Sequence, residues 1–291
     1  MTKPIREPRT KTMWLVYEIL FLIGSLLYLP KALWRRRLPH RGWSMRLGRY
    51  PEAISERLKG RRSIWIHAVS VGEVQAVRPL VRALIQRSSK DLVVLSTVTP
   101  GGFEVASKQV ADQGVAIYAP LDLRVCVQRA LDAMSPRCLL LVESEFWPTV
   151  IRLTKARGVP IAVVNGRISS RAFPRYRCIA RALTGTLKRM DLFLMQSQTD
   201  AERIIYLGAD PANVTVTGNL KWDASLSARP SPNAVRETAI RLGLNGEEPV
   251  IVAGSTHRGE ETVLLEAFRS VRARHPTARL IVAPRHLERV E

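Results

Sequence analysis

The sequence is poor in cysteine and in acidic residues. Its 291 residues include three widely spaced cysteines, Cys126, Cys138 and Cys178, with no Cys-x-x-Cys pair. This scarcity excludes a disulfide framework and a cysteine zinc site, and it favours a reducing compartment. Only 25 Asp and Glu residues oppose 45 Lys and Arg residues, which gives a net charge of +20. Because 46% of the residues are hydrophobic, the chain can bury a core, and a disordered polyelectrolyte is excluded.

Positive charge is concentrated near the amino terminus. Residues 1–62 contain fifteen Lys or Arg residues and four Glu residues, so they contribute +11 of the net charge. Within this region, residues 13–30 hold one charged side chain, Glu18, and are followed by the basic run Arg35-Arg-Arg37. The apolar stretch is longer than the core of a secretory signal and runs into basic residues instead of a small-residue cleavage site. We therefore expect a retained membrane-anchor helix at residues 13–30, within an anchor and basic flank over residues 1–37.

This anchor is expected to hold the protein at the cytoplasmic face of the cell inner membrane. At 1.5 Å per residue, eighteen residues cover roughly 27 Å, which suits either a spanning helix or an interfacial one. Residues 31–49 contain seven Lys or Arg residues against four in residues 1–12, a bias that keeps the body cytoplasmic. An anionic membrane surface is the expected partner, and nucleic acid is not, since no recognition motif accompanies the charge. A buried core helix is the alternative interpretation.

Short apolar runs alternate with helical stripes beyond residue 62. Such strand-then-helix units predict an α/β fold in which a parallel sheet carries helices on both faces. The runs lie at residues 64–69, 92–96, 115–118, 138–142, 161–164, 192–195 and 214–216, and the clearest stripes at residues 74–85 and 172–187.

A Ser- and Pro-rich stretch at residues 223–233 predicts a linker that follows a first domain over residues 38–222. Residues 234–291 then begin a second alternation, with helices at 234–242 and 260–274 and strands at 250–253 and 280–283. Two strands and two helices are too few to close a core comparable with the first. The sequence therefore predicts an incomplete second domain.

Ligands of open parallel sheets bind beyond the carboxyl ends of the strands, so the residues after each run are site candidates. After the first run, Ser70 and Glu73 have the spacing of a capping box, in which Glu73 would reach back to the backbone N–H of Ser70. Gly72 lets a ligand approach the backbone closely. Spacing alone favours a helix cap at Glu73 and leaves open a carboxylate that acts on substrate.

Two acidic residues, Glu143 and Glu145, follow the fourth run. If the strand persists, they share one face, and paired carboxylates in a cleft can titrate apart, as acid–base chemistry requires. The alternative, of equal weight, is that Glu145 caps the helix opened by Pro148. Neither carboxylate belongs to a metal-ligand spacing.

Three later turns carry groups that suit an anion. Lys221 lies just before the linker, where two domains would face each other, although a single lysine is usually solvated. Ser255 or Thr256 is the expected N-cap of a helix whose first N–H groups would hold a phosphate. Arg285 follows the last run and can bind a phosphate or carboxylate in a bidentate manner.

Seven phrases in order resemble one family, the 3-deoxy-D-manno-octulosonic acid (Kdo) transferases of lipopolysaccharide synthesis. They are His67-Ala-Val-Ser-Val-Gly-Glu73, Thr97-Val-Thr-Pro-Gly101, Glu143-Ser-Glu-Phe-Trp-Pro148, Asn165-Gly-Arg-Ile-Ser169, Thr215-Val-Thr-Gly-Asn-Leu-Lys221, Ser255-Thr-His-Arg-Gly-Glu-Glu261 and Ala283-Pro-Arg-His286. The resemblance extends over essentially the whole chain. It implies a GT-B-type glycosyltransferase with a complete N-terminal Rossmann-like acceptor domain and, in this chain, an incomplete C-terminal Rossmann-like donor domain.

The resemblance also implies an activity. Kdo would pass from CMP-Kdo to a lipid A precursor, lipid IVA, in an inverting, metal-independent reaction without a cofactor. Glu73 would be the catalytic base, and Glu143 and Lys221 would stabilise the transition state. Pro284 and Arg285 would be part of the CMP site, and Ser255 and Thr256, from the turn before the next helix, are the other donor-site candidates. The acceptor-side candidates are Ser70, Gly72, Glu145 and Arg167. Members of the family continue beyond the position of Glu291, so the alternative is a catalytically silent, membrane-bound module that binds the lipid A acceptor.

Overall fold

The computed structural model describes residues 17–19, 21–24, 27, 42–87, 90–227 and 230–285. The chain divides into two compact units, Met1–Ser227 and Ala228–Glu291. A helix continues to Ser227, so the first five residues of the predicted linker 223–233 are helical. Serine tolerates a helix end, and the residue that stops a helix, Pro230, comes later in the stretch.

The first unit contains a seven-stranded sheet in which every pair of neighbouring strands is parallel. The strand order is β3-β2-β1-β4-β5-β6-β7. This confirms the predicted parallel α/β sheet, with each apolar run placed to within two residues. The strands are β1 (Ser63–His67), β2 (Leu92–Thr97), β3 (Gly114–Tyr118), β4 (Pro136–Val142), β5 (Ile161–Gly166), β6 (Leu192–Met195) and β7 (Val214–Val216).

Helices connect these strands. They are α1 (Trp43–Arg46), α2 (Glu52–Leu58), α3 (Val71–Ala76), α4 (Arg78–Arg87), α5 (Pro100–Val110), α6 (Arg124–Met134), α7 (Pro148–Ala156), α8 (Phe173–Cys178), α9 (Ala180–Leu187), α10 (Gln198–Tyr206) and α11 (Leu220–Ser227). The predicted stripe at 74–85 is divided between α3 and α4, because Pro79 lacks an N–H and its ring clashes with the preceding turn. The stripe at 172–187 is likewise divided at Ile179.

The sheet separates two apolar cores, and adjacent residues of β1 contribute to different ones. Trp65 packs with one cluster, which includes Leu131 and Phe193. Ile64 and Ile66 pack with the other. The strand order reverses between β1 and β4, because the chain adds β2 and β3 on one side of β1 and then returns to its other side. Such a switch point opens a crevice at the carboxyl ends of the two strands, which is where open α/β sheets bind ligands.

The second unit contains α12 (Pro232–Arg241), β8 (Val250–Thr256), α13 (Glu260–Arg274) and β9 (Arg279–Pro284). The two strands pair in parallel, as the predicted alternation requires. Large apolar side chains of this unit are exposed, including Val252 at 64% and Val263 at 66%.

Part of the predicted anchor, residues 13–30, lies among the described residues. Residues 17–19, 21–24 and 27 are helical. The rest of the anchor, and the basic flank that includes Arg35-Arg-Arg37, lies outside the described residues. Tyr17 donates a hydrogen bond to Asp122 at 2.7 Å, and Glu18 pairs with Arg152 at 3.1 Å. Among the described residues, no helix has both the length and the hydropathy needed to cross a bilayer.

Candidate active site

Glu73 is fixed at the start of α3, directly after β1. Its backbone N–H donates to the Ser70 hydroxyl oxygen at 3.4 Å, which confirms the N-cap half of the predicted capping box. The other half differs by one residue, since the Glu73 carboxylate accepts from the Val69 N–H at 2.8 Å instead of from the Ser70 N–H. Its second oxygen accepts from the Ser70 hydroxyl at 2.9 Å. The carboxylate is therefore both a cap and a group held at the carboxyl end of the central strand.

The surroundings of Glu73 disfavour its ionised form. Burial raises the pKa of the Glu73 carboxyl, and the charges of Glu145 and Glu143 add to the rise. The hydrogen bonds from Val69 and Ser70 oppose it. A carboxylate with a raised pKa is a stronger proton acceptor when it is ionised, which suits general base catalysis.

The segment from Glu143 to Trp147 does not continue β4. The strand ends at Val142, and Glu143 has a left-handed backbone with φ of 60°. The expectation that Glu143 and Glu145 share a strand face is therefore wrong, because the chain turns at the first of them. Glu143 remains tied to the sheet through its N–H, which donates to the Val164 carbonyl at 3.0 Å.

Glu145 does not cap the helix that begins at Pro148. It accepts a hydrogen bond from the Trp147 indole N–H at 2.9 Å. Burial raises the pKa of the Glu145 carboxyl; the Trp147 bond opposes the rise and the charge of Glu143 adds to it. The helix is instead capped from a distance by Asp122, whose carboxylate accepts from Thr149 N–H at 3.1 Å and Val150 N–H at 2.8 Å.

Lys221 lies near this group of carboxylates, in the first turn of α11. Its ammonium pairs with the Glu143 carboxylate at 3.6 Å, with the lysine side chain 50% exposed and that of Glu143 22% exposed. Helix α11 also packs against α3, which carries Glu73, and against α4. The structure thus brings Glu73, Glu143, Glu145 and Lys221 together at the carboxyl edge of the sheet.

A buried asparagine, Asn165, supports this arrangement. It was not predicted from the sequence as a site residue, although it begins one of the seven phrases. It lies at the end of β5 with φ of 56° and is 1% exposed. Its side-chain oxygen accepts from the Leu220 N–H at 3.0 Å, and its backbone carbonyl accepts from the Gln196 amide at 2.9 Å. The Asn-Gly pair after an apolar run was the available signal, because this pair favours left-handed turns.

His67 lies beneath the site at the end of β1 and is 3% exposed. Its Nδ1 is 2.9 Å from the Ser96 hydroxyl oxygen, and this oxygen accepts a hydrogen bond from the Trp65 indole N–H at 2.8 Å. The imidazole edge meets the Trp147 ring at a centroid distance of 5.6 Å. Burial lowers the pKa of His67 to about 4, so the ring is neutral at physiological pH.

The remaining acceptor-side candidates differ in exposure. Arg167 is exposed in the loop after β5, and Ser70 is half-buried. Apart from its chain neighbours and the backbone of its own helix, the nearest atom to a Cβ at Gly72 would be the Ser70 hydroxyl oxygen at 4.0 Å, so tertiary packing does not account for the glycine.

The donor-site candidates lie in the second unit, at the carboxyl ends of β8 and β9. Thr256 pairs with Pro284 in the sheet, and the Arg285 N–H donates to the Thr256 carbonyl at 3.1 Å. The expectation that Ser255 or Thr256 caps the next helix is wrong, because β8 extends through Thr256 and the N-cap is Gly259. The Thr256 hydroxyl instead donates to Glu261 at 2.8 Å. Ser255 and Arg285 are exposed, and Ser255 has a left-handed backbone with φ of 64°.

Within the described part of the chain, no group of three or more His, Cys, Asp or Glu side chains is arranged to hold a metal ion.

Comparison with known proteins gives consistent matches. Residues 41–224 match the family described as 3-Deoxy-D-manno-octulosonic-acid transferase (kdotransferase). A 3-deoxy-D-manno-octulosonic acid transferase of Haemophilus influenzae is 32% identical over 272 residues, which cover 93% of this chain and 61% of that protein. A bifunctional glycosyltransferase/methyltransferase of Fusobacterium nucleatum is 37% identical over 236 residues, covering 80% of this chain and 36% of that protein. The chain thus spans between about one third and three fifths of the length of these relatives.

Solved structures show a similar fold. UDP-GlcNAc 2-epimerase from Neisseria meningitidis, bound to UDP-GlcNAc, has a TM-score of 0.56 and 13% identity, covering 78% of this chain and 66% of that one. UDP-GlcNAc 2-epimerase from Methanocaldococcus jannaschii has a TM-score of 0.54 and 13% identity, covering 79% and 67%. At this identity the likeness concerns the fold alone.

Proposed function

Because the chain belongs to the 3-deoxy-D-manno-octulosonic acid (Kdo) transferase family, we propose that it is a glycosyltransferase that moves Kdo from CMP-Kdo to lipid IVA in lipopolysaccharide synthesis. The observation that carries this proposal is the cluster of Glu73, Glu143, Glu145 and Lys221 at the switch point of the sheet. Three of these residues, Glu73, Glu143 and Lys221, are those to which the family resemblance assigns the chemistry.

The proposed reaction is a single displacement with inversion. An acceptor hydroxyl oxygen forms a bond to the anomeric carbon of Kdo, and its proton passes to the Glu73 carboxylate. The bond from that carbon to the CMP phosphate oxygen breaks, and CMP leaves with the electron pair. The raised pKa of Glu73 supports its role as base, because a carboxylate of ordinary pKa would be a weaker proton acceptor.

Glu143 and Lys221 are proposed to act on the charge that develops during transfer. The ion pair at 3.6 Å places the Lys221 ammonium beside the Glu143 carboxylate. Fixed charge that is already oriented stabilises a transition state without reorganisation during the reaction. Ser70, Gly72, Glu145 and Arg167 are proposed to line the acceptor side.

The second unit is proposed to bind CMP-Kdo as the donor half of a GT-B fold. Thr256, Pro284 and Arg285 lie together at the carboxyl ends of two parallel strands, which is the end of a sheet that binds nucleotides in α/β folds. The exposed Arg285 guanidinium suits the CMP phosphate.

Transfer of Kdo to lipid IVA tests the proposal directly. The purified chain, given CMP-Kdo and lipid IVA in detergent micelles, should form a Kdo-modified lipid and CMP in equal amounts. Excess EDTA should leave the rate unchanged if the reaction needs no metal. Glu73→Gln is the matched inactive control. A wild-type chain that forms no product under these conditions would contradict the proposed activity.

A second candidate function is a silent module that binds the acceptor without transferring Kdo. The acceptor-side candidates Ser70 and Glu145 lie in the first unit, which has its own two buried cores, and this favours acceptor binding that does not depend on the second unit. Thermal melts with CMP separate the two functions, since a ligand that binds only the folded chain raises the melting temperature. CMP should stabilise a transferase, whereas a silent module should respond to lipid IVA alone.

Attachment to the cytoplasmic face of the inner membrane is proposed through residues 13–30. Among the described residues of this segment, Leu22, Ile23 and Leu27 are 45%, 47% and 76% exposed. These apolar side chains suit a lipid interface. Deletion of residues 1–37 should move the protein to the soluble fraction at moderate salt. Equal sedimentation of the truncated and intact chains with membranes would refute the anchor.

A further inference from the structure

Asn165 holds a conformation that few side chains adopt at low energy. Its φ of 56° lies in the left-handed region, where asparagine is tolerated far better than most non-glycine residues. Asn165 lies where the pairing of β5 with β6 is irregular, between Val163 and Gly166. The Gln196 side chain holds its carbonyl at 2.9 Å. Strain of this kind persists where the surrounding structure fixes it, and it concentrates at functional sites.

The asparagine side chain connects the sheet to the helix that carries the lysine. Its Oδ1 accepts the Leu220 N–H at 3.0 Å, at the first residue of α11, across 55 residues of sequence. A second cap of the same helix is local, since Asn219 Oδ1 accepts the Lys221 N–H at 3.0 Å. Both caps satisfy an N–H of the first turn, but the Asn165 cap alone ties that turn to the sheet.

We propose that Asn165 is a positioning residue, which fixes the start of α11 against β5 so that the Lys221 ammonium meets the Glu143 carboxylate. Glu143 is anchored to the same strand through the Val164 carbonyl at 3.0 Å. Consecutive residues of β5 therefore hold the backbone of the two partners, Val164 that of Glu143 and Asn165 the start of the helix that carries Lys221. The link to catalysis rests on the proposed function, whereas the link to the ion pair does not.

The two caps give a matched pair of variants. Asn165→Gly removes the side-chain oxygen that accepts the Leu220 N–H, and glycine adopts a positive φ without strain. Asn219→Ala removes the local cap and leaves the tie to the sheet. Each loses one hydrogen bond at the same helix end, so helix stability alone predicts similar effects.

The first measurement does not depend on activity. A water-soluble carbodiimide joins a lysine amine and a carboxyl in contact into an amide, with loss of water to the reagent, and mass spectrometry quantifies the Lys221–Glu143 cross-link. Asn165→Gly should lower its yield about threefold or more, while Asn219→Ala stays near wild type. Equal yields in both variants would overturn the proposal, whether or not the chain transfers Kdo.

The second measurement addresses the reaction. Asn165→Gly should lower kcat about tenfold with little change in the KM for the acceptor, because a small displacement of a charged group is costly in the transition state. In a Lys221→Ala background it should have no further effect. A loss of kcat that persists in that background would show that Asn165 does not act through Lys221. Absence of transfer in the wild type would refute the proposed function and leave the cross-linking result to decide this inference.

A variant that fails to fold has a substitute. If Asn165→Gly melts below the assay temperature, Gln196→Ala is used in its place. This variant removes the hydrogen bond to the Asn165 backbone carbonyl and leaves the Asn165 side chain unchanged. A smaller decrease in cross-link yield is expected, and an unchanged yield would count against the proposal.

Discussion

Replacement of Glu73 by glutamine separates the capping role of this residue from its role as base. In the wild type, its carboxylate accepts two hydrogen bonds, at 2.8 Å from Val69 and 2.9 Å from Ser70. A glutamine oxygen can keep the first, and its amide group can donate to the Ser70 oxygen. The loss is at most about one hydrogen bond, about 1 kcal/mol. Because burial disfavours the ionised carboxyl, a neutral amide offsets part of this loss.

The expected effect on the rate is far larger. Loss of a general base lowers turnover about 10²–10⁴-fold, whereas about 1 kcal/mol corresponds to roughly fivefold. The assay is Kdo transfer at saturating substrates, with thermal melts of both proteins. Ser197→Ala is the matched control, since it removes the N-cap of α10 at a cost of about 1 kcal/mol and leaves the hydrogen bonds of the Glu73 carboxylate in place. Transfer by Glu73→Gln within a few-fold of wild type would refute the base assignment.

The pH dependence gives a second check, with opposite signs for activity and stability. The pKa of Glu73 is raised in the folded chain, so activity should increase as pH rises through that value. The same shift makes the folded state bind the proton more tightly than the unfolded state. The contribution of Glu73 to stability is therefore greatest in acid and declines as pH rises from its ordinary pKa to the raised one. Glu73→Gln should lack both changes. Activity that falls over this range would contradict the assignment.

Three further predictions concern the support of the site. Lys221→Ala should lower kcat much more than it raises the acceptor KM, as steady-state kinetics would show, and an unchanged kcat would limit Lys221 to ground-state binding. Because burial lowers the pKa of His67 from 6.5 to about 4, about 3 kcal/mol of stability should be lost as pH falls through this interval. The free energy of unfolding of His67→Gln, measured by urea titration, should not show this loss. If the variant and the wild type lose equal stability in acid, the effect does not come from His67. Asp122→Ala should destabilise the fold by about 2 kcal/mol, because two N–H groups of α7 lose their acceptor. Asp122→Asn should cost less, and a melt equal to wild type for Asp122→Ala would contradict the capping role.

The strands were predictable because each is a short apolar run buried on both faces of a parallel sheet. In β1, Ile64, Trp65 and Ile66 are all at most 8% exposed, so the run itself was sufficient signal. The division of α3 from α4 followed from Pro79 and could have been predicted from the sequence. Ser70 and Glu73 were found through their spacing, which is a local feature.

Residues that act across the fold were harder to predict. Asp122 caps a helix that begins 26 residues later, and no spacing rule links an acceptor to a distant helix end. The turn at Glu143 was missed because strand alternation was extended past Val142. The neutral state of His67 depends on its burial beneath Trp147, which required the tertiary structure.

The positions of these groups within the sheet give the site unequal mechanical support. Glu73 and Glu143 follow β1 and β4, which are central strands with a partner on each side. Lys221 follows β7, a three-residue edge strand whose side chains are largely exposed. Edges with few buried contacts open more readily than the centre of a fold. Under mild denaturation the lysine would therefore separate from Glu143 while both carboxylates keep their places. The chain would then pass through a folded state that lacks the Lys221–Glu143 ion pair before the sheet unfolds.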